Sequence, residues 1–144
     1  YGDPGNTASS TDTALKCPLG VLWYGEPGPN KVPSRHLGNA APLTINGRVY
    51  LQGINRIMCF DAYNGLPYWE REVPGAYRVG MVYEASNIAC DDQSLFVVTG
   101  KQCLRLSAQT GATMRTYDLP PTTGEGEPKW AWIAVVGNTL YGSV

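Results

Sequence analysis

The sequence predicts an all-β protein built from repeated four-stranded antiparallel sheets. Three observations carry that expectation: an internal repeat of 46 residues, tight-turn signals at its hairpin positions, and no helical periodicity in any window. The first copy runs from Asn46-Gly47-Arg48-Val49-Tyr50-Leu51 into Ile57-Met58-Cys59-Phe60-Asp61-Ala62-Tyr63-Asn64-Gly65. Shifted by 46 residues without a gap, Asp92-Gln93-Ser94-Leu95-Phe96-Val97 leads into Cys103-Leu104-Arg105-Leu106-Ser107-Ala108-Gln109-Thr110-Gly111. A third copy opens at Gly137-Asn138-Thr139-Leu140-Tyr141 and is interrupted at Val144, so the chain reads as a piece of a longer protein.

Composition agrees. The 144 residues include 17 glycines and 11 prolines, and only 16% are charged, below the roughly 25% of an average soluble protein. Such a mixture, rich also in Val, Ile, Tyr and Trp, suits many short strands and many turns. The net charge of −1 gives no electrostatic footprint for nucleic acid or an anionic membrane. No apolar run approaches the ~18 residues that span a bilayer.

Taken in order, residues 1–39 form a lead-in segment whose apolar Val21-Leu22-Trp23-Tyr24 is one short strand, closed by the Pro- and Gly-rich turn that follows it. The first unit with its connector covers 40–85, with strands at about 40–45, 48–53, 56–61 and 67–73. Asn46-Gly47 and Asn64-Gly65 are read as two-residue hairpin turns, because a type I′ turn needs φ > 0 at both positions. The second unit and connector, 86–130, repeats the plan with strands at about 86–91, 94–99, 102–107 and 112–118. Residues 131–144 begin a third unit with strands at about 131–136 and 139–143. Short turns between six-residue strands force antiparallel neighbours. Four-stranded sheets recurring every ~45 residues are the pattern of β-propeller blades. The expected architecture is therefore a partial β-propeller: about two full blades and part of a third, in one domain.

The four cysteines, Cys17, Cys59, Cys90 and Cys103, contain no C-x-x-C pair, which leaves a zinc ribbon and a c-type haem attachment unsupported. Cys59 and Cys103 fall in strand patterns as small hydrophobes, and a disulfide stays open, with Cys17 the most exposed candidate. His36 is the only histidine, so a His-rich metal site is disfavoured. Asp91-Asp92 reads as a solvated turn and not as a calcium site, which takes about six or more oxygens. No G-x-S-x-G elbow and no strand–Gly-rich–helix phosphate loop occurs.

The stretch Arg56-Ile57-Met58-Cys59-Phe60-Asp61-Ala62-Tyr63-Asn64-Gly65-Leu66-Pro67-Tyr68-Trp69 resembles the quinoprotein-type (PQQ-like) β-propeller repeat. That repeat reads apolar-x-Ala-Leu-Asp-Ala-x-Thr-Gly-x-x-x-Trp. Cys59 stands at its small Ala position and Asn64 at its Thr position. The stretch Cys103 to Arg115 matches with Ser107 for the Asp and Arg115 for the Trp. The flanking Trp23-to-Pro29 run, Arg35-His36 and Gly2-to-Thr7 are similar to a bacterial, exported, multidomain group of these proteins. The motif residues Asp61, Gly65, Trp69 and Gly111 are expected to be structural: the carboxylate accepts N–H bonds across its turn, the glycines supply φ > 0, and the indole packs between blades.

The resemblance implies an extracytoplasmic location and a non-catalytic binding or scaffold module, with no cofactor and no catalytic residue. Its alternative is a fragment of a dehydrogenase that oxidises an alcohol or sugar with PQQ and calcium. For that case the candidate cofactor-binding residues are Arg78, Trp130 and Trp132, since Arg and Trp hold a carboxylated quinone by charge and stacking. Tyr77, Glu84 and Lys129 on the connectors, and Arg35 and His36 ahead of the first full unit, are further candidates. Two and a half blades do not close a ring of roughly four to eight. The expected partners are the remainder of the propeller, another chain or a second copy, and apolar patches are expected on both terminal blades.

Overall fold

The computed structural model describes residues 5, 20–21, 23–25, 31, 41–76, 88–121 and 128–144. Among them are ten strands and no helix: β1 (Leu43–Ile45), β2 (Arg48–Gly53), β3 (Arg56–Asp61), β4 (Pro67–Glu72), β5 (Ile88–Cys90), β6 (Ser94–Thr99), β7 (Gln102–Ser107), β8 (Thr113–Asp118), β9 (Ile133–Val136) and β10 (Thr139–Gly142). They form two four-stranded meanders, β1-β2-β3-β4 and β5-β6-β7-β8, and the hairpin β9-β10, all antiparallel. These are blade 1, blade 2 and the opening of blade 3.

The strands fall where the repeat puts them. The innermost β1 and β9 are shorter than the sequence suggests, and residues 86–87 of the strand expected at 86–91 lie outside the described residues. At β1 the cause is Pro42, which has no N–H to give a ladder. Asn46 (φ 49°) and Gly47 (φ 72°) make the expected turn with both residues left-handed. The Asn64-Gly65 turn corrects the sequence reading: among its residues only Gly65 (φ 74°) is left-handed. Here the connection is five residues long, closed by Asp61 N–H to Leu66 O (2.8 Å) and Gly65 N–H to Asp61 O (3.0 Å). A register shift at Cys59/Phe60 accommodates it, and Arg105/Leu106 repeats that shift in blade 2.

The alternation of side chains along each strand builds two cores. Tyr50, Ile57 and Cys59 on one face of blade 1 pack with Leu95, Val97, Leu106 and Ala108 of blade 2. The opposite face of blade 2 gives Ala89, Phe96, Val98 and Cys103 to a second core with Ile133 and Val135 of blade 3. Covered on both faces, Leu95-Phe96-Val97-Val98 is apolar at every position and buried throughout. The outer strands β4 and β8 are mostly exposed, with Trp69 and Arg71 turned inward. Apolar side chains remain exposed on the blade 3 hairpin at Val136 and Tyr141, and beside blade 1 at Val21 and Tyr24.

Segments outside the sheets also touch them. Gly5 O accepts from Val135 N on β9 (2.9 Å), and Lys31 O accepts from Ile54 N in the β2–β3 turn (3.1 Å). Lys31 Nζ reaches Glu70 Oε2 (2.8 Å), and Arg56 pairs with the other oxygen of the same carboxylate. These two cations hold Glu70 below the usual carboxylate range, with the Lys31 hydrogen bond the leading cause.

Candidate functional site

The site that the repeat builds is the docking contact between blades. It starts at Asp61, at the end of β3. Asp61 Oδ1 accepts from the N–H groups of Tyr63 (2.7 Å) and Asn64 (3.1 Å), and Tyr68 Oη donates to Oδ2 (2.6 Å). The Tyr68 hydrogen bond and then the Tyr63 N–H hold this carboxyl below its ordinary pKa. One repeat later Ser107 Oγ accepts from Gln109 and Thr110 at 3.3 and 3.4 Å, longer bonds to a neutral acceptor. Both turns end on a left-handed glycine, Gly65 and Gly111.

Those glycines carry an indole. Trp69 Nε1 donates to Ala108 O (3.1 Å), and atoms of its six-membered ring lie 2.8–3.1 Å from where a Gly111 β-carbon would stand. Arg71 Nη1 adds a bond to Gly111 O (2.6 Å). Trp23 does the same on blade 1: Nε1 donates to Ala62 O (2.9 Å), and its ring lies 2.6–3.1 Å from the β-carbon position of Gly65. The sequence reading placed Trp23 in a short lead-in strand and in the run that resembles the family, without a docking role; the described residues 21 and 23–25 are not in a strand. The signal was present, since Trp23 precedes Trp69 by one 46-residue period.

Between blade 2 and blade 3 the chemistry changes. Arg105 and Arg115 occupy the places of Cys59 and Trp69. Arg105 Nε donates to Ser94 Oγ (2.7 Å), and its guanidinium lies 3.8 Å from Asp91 and over the Phe96 ring at 5.6 Å. Arg115 lies over Tyr117, 4.9 Å from the ring centroid. A cleft of about 420 Å³ opens here, bordered by Phe96, Arg105, Arg115, Tyr117, Trp130 and Leu140 among others.

Of the proposed cofactor-binding residues, Trp130 borders this cleft and packs on Gly142. Trp132 is half-buried and bound through its backbone to Ser143, its N–H to Oγ (3.2 Å) and its carbonyl from Ser143 N (2.9 Å). Arg78 lies outside the described residues, as do Tyr77, Glu84, Arg35 and His36. Lys129 is exposed. Asp91 caps its own turn by accepting from Gln93 N (2.8 Å) and Ser94 N (2.7 Å). Among the described residues no three His, Cys, Asp or Glu side chains converge, so these residues do not form the oxygen set that calcium takes.

Cys59 and Cys103 are buried free thiols, Cys90 is buried as well, and Cys17 lies outside the described residues. Burial pushes the Cys59 thiol up to about 11 and the Cys103 thiol up to about 12. Tyr50, fully buried in the blade 1–blade 2 core, is raised well above the ordinary phenol range by the same desolvation.

No family model matches the chain, and neither does any curated protein. Solved structures do. BamB from Moraxella catarrhalis superposes with a TM-score of 0.54 at 20% identity, over 72% of this chain and 33% of that one. The quinohemoprotein alcohol dehydrogenase ADHIIG from Pseudomonas putida HK5 superposes with a TM-score of 0.56 at 15% identity, over 76% of this chain and 17% of that one. The chain thus spans a third or less of the length of either structure. Identities this low establish the fold and leave the chemistry to the residues.

Proposed function

We propose that this segment of a PQQ-like β-propeller is a non-catalytic binding or scaffold module within a larger exported protein or complex. One observation carries the reading. The residues that the chain shares with the quinoprotein-type repeat are all spent on structure: Asp61 on its turn, Trp69 on Ala108 and Gly111, and Gly65 on Trp23. The indole N–H and ring face that could hold a ligand are engaged by the next blade.

The ring is completed by further blades, whether from the same polypeptide, another chain or a second copy. Two blades and a hairpin are fewer than the roughly four that closure needs. An extracytoplasmic location belongs to the same proposal. No helix among the described residues is long and apolar enough to cross a membrane.

The likeness to a quinohemoprotein alcohol dehydrogenase keeps a second reading, a fragment of a PQQ-dependent alcohol or sugar dehydrogenase. Reconstitution separates the two. The protein is mixed with PQQ, calcium and a panel of alcohols and aldoses, and quinone absorbance and dye reduction are followed. The scaffold reading expects neither to change. Substrate-dependent dye reduction overturns it.

A further inference from the structure

Two Asn-Gly pairs stand at turns of blade 1, Asn46-Gly47 between β1 and β2 and Asn64-Gly65 between β3 and β4. In this dipeptide the asparagine amide is open to attack by the next backbone nitrogen, because glycine places no side chain beside that nitrogen. The attack requires the glycine N–H to give up its proton. Amide hydrogen exchange requires the same event, so a hydrogen-bonded N–H is protected until its turn opens.

The two pairs are alike in exposure and differ in bonding. Both asparagines are exposed, and each glycine has an aromatic ring beside its α-carbon, Tyr63 at Gly47 and Trp23 at Gly65. At the second pair Gly65 N–H donates to Asp61 O (3.0 Å), and Asn64 Oδ1 accepts from Leu66 N (2.9 Å). At the first pair Gly47 N–H has no acceptor among the described residues. A two-residue turn leaves it so, because Ile45 and Arg48 close the ladder and the N–H between the central residues takes no part. The Asn46 side chain instead spans the seam. Its Nδ2 donates to Asp92 Oδ1 (3.2 Å), one 46-residue period on, in the matching turn of blade 2.

We propose that Asn46 is a site of spontaneous deamidation, a modification that unclasps the blade 1 turn from the blade 2 turn. Gly47 N loses its proton to a base in the solvent and attacks Asn46 Cγ. The bond from Gly47 N to Cγ forms, the Cγ–Nδ2 bond breaks, and Nδ2 leaves as ammonia with a proton returned by solvent. One water then opens the cyclic imide at either carbonyl and leaves aspartate or isoaspartate at position 46. No electrons are transferred: one water is consumed and one ammonia is released. The product bears a carboxylate where a donor had been, and that carboxylate meets Asp92. Isoaspartate also inserts a methylene into the backbone of a two-residue turn. Both effects push the turn away from blade 2. The proposal is independent of the scaffold and dehydrogenase readings.

The test holds the folded protein in a mildly alkaline, ammonium-free buffer and samples it over time. The mass gain at each asparagine is read in peptides from an acidic digest. Asn46 should convert about tenfold faster than Asn64, the ratio set by opening the hydrogen-bonded turn at Gly65. In urea, where neither turn persists, the two rates should converge. Equal rates in the folded protein, a faster Asn64, or a ratio unchanged by urea overturns the proposal. The unclasping is read separately on Asn46→Asp, which supplies the charge without the longer backbone. Its urea midpoint should fall below that of the native chain, more at low salt than at high salt. Adding Asp92→Asn exchanges donor and acceptor across the seam and should remove the fall. A midpoint equal to that of the native chain, or a fall that Asp92→Asn leaves in place, overturns the unclasping.

Discussion

The six-membered ring of Trp69 covers the α-carbon of Gly111, so that a β-carbon there would stand 2.8 Å from the nearest ring atom. The indole N–H reaches Ala108 O on the same turn. Ring and N–H together make one contact of apolar area and one of direction. Replacing Trp69 by Ala removes both and should cost about 3 kcal/mol. Replacing it by Phe keeps much of the area but leaves Ala108 O without its donor, and should cost about 1 kcal/mol. Urea unfolding of the two variants checks the order. Equal losses would mean that the hydrogen bond contributes nothing.

Gly111→Ala should be more damaging than its size suggests. The residue is left-handed (φ 71°), and the added methyl meets Trp69. Gly100 is equally left-handed (φ 75°) but has open space at its β-carbon position. Gly100→Ala therefore measures the backbone term alone, about 1 kcal/mol. Thermal melts of the two variants should show Gly111→Ala losing clearly more, with Gly65→Ala behaving like Gly111→Ala through Trp23.

Asp61 predicts a pH dependence. Its carboxyl is held below the ordinary value by Tyr68 and the turn N–H groups, so the folded state favours the ionised form. The stability this contributes is complete above the unfolded-state pKa of about 3.9 and is lost as pH falls through the lower folded value. Asp61→Asn lacks the titration. The gap in urea midpoint between the native chain and Asp61→Asn should be constant from pH 7 to about 5 and shrink below about 4. A gap that is flat to pH 2.5 would contradict the assignment.

The buried thiols should be slow to react. With the pKa of Cys59 at about 11 and that of Cys103 at about 12, almost no thiolate is present at pH 8. Disulfide-exchange reagents should label Cys59, Cys90 and Cys103 only as the sheets open, at a rate that rises with urea. Rapid labelling of all three in the native state would mean that the interblade cores are not closed.

Much of the fold was legible because strand spacing and turn chemistry are local. The repeat located both meanders, and Asn46-Gly47 announced a turn whose two positive φ values this pair accommodates readily. Asn64-Gly65 looked alike and is not, because Asp61 draws the following N–H groups onto its carboxylate and lengthens the connection. The docking role of Trp69 was legible from the motif. The role of Trp23 was hidden by a masking effect of reading units from their first strand, since the segment bearing it looked like an isolated run. What the sequence could not show is the seam at Arg105 and Arg115, because complementarity across blades depends on the packing of strands distant in the chain. Trp130, a candidate for quinone binding, has its indole against Gly142 at the border of that seam.

The tryptophan contact has a direction. The preceding part of the chain supplies an indole and the following blade supplies the turn that receives it, at Trp23 with Gly65 and again, from blade to blade, at Trp69 with Gly111. Such a joint is heterologous: the two surfaces that meet are different, and neither is complementary to itself. Units joined this way add only head to tail. They close into a ring when the rotation allows and otherwise run on as a filament, and they cannot be related by a two-fold axis through the joint.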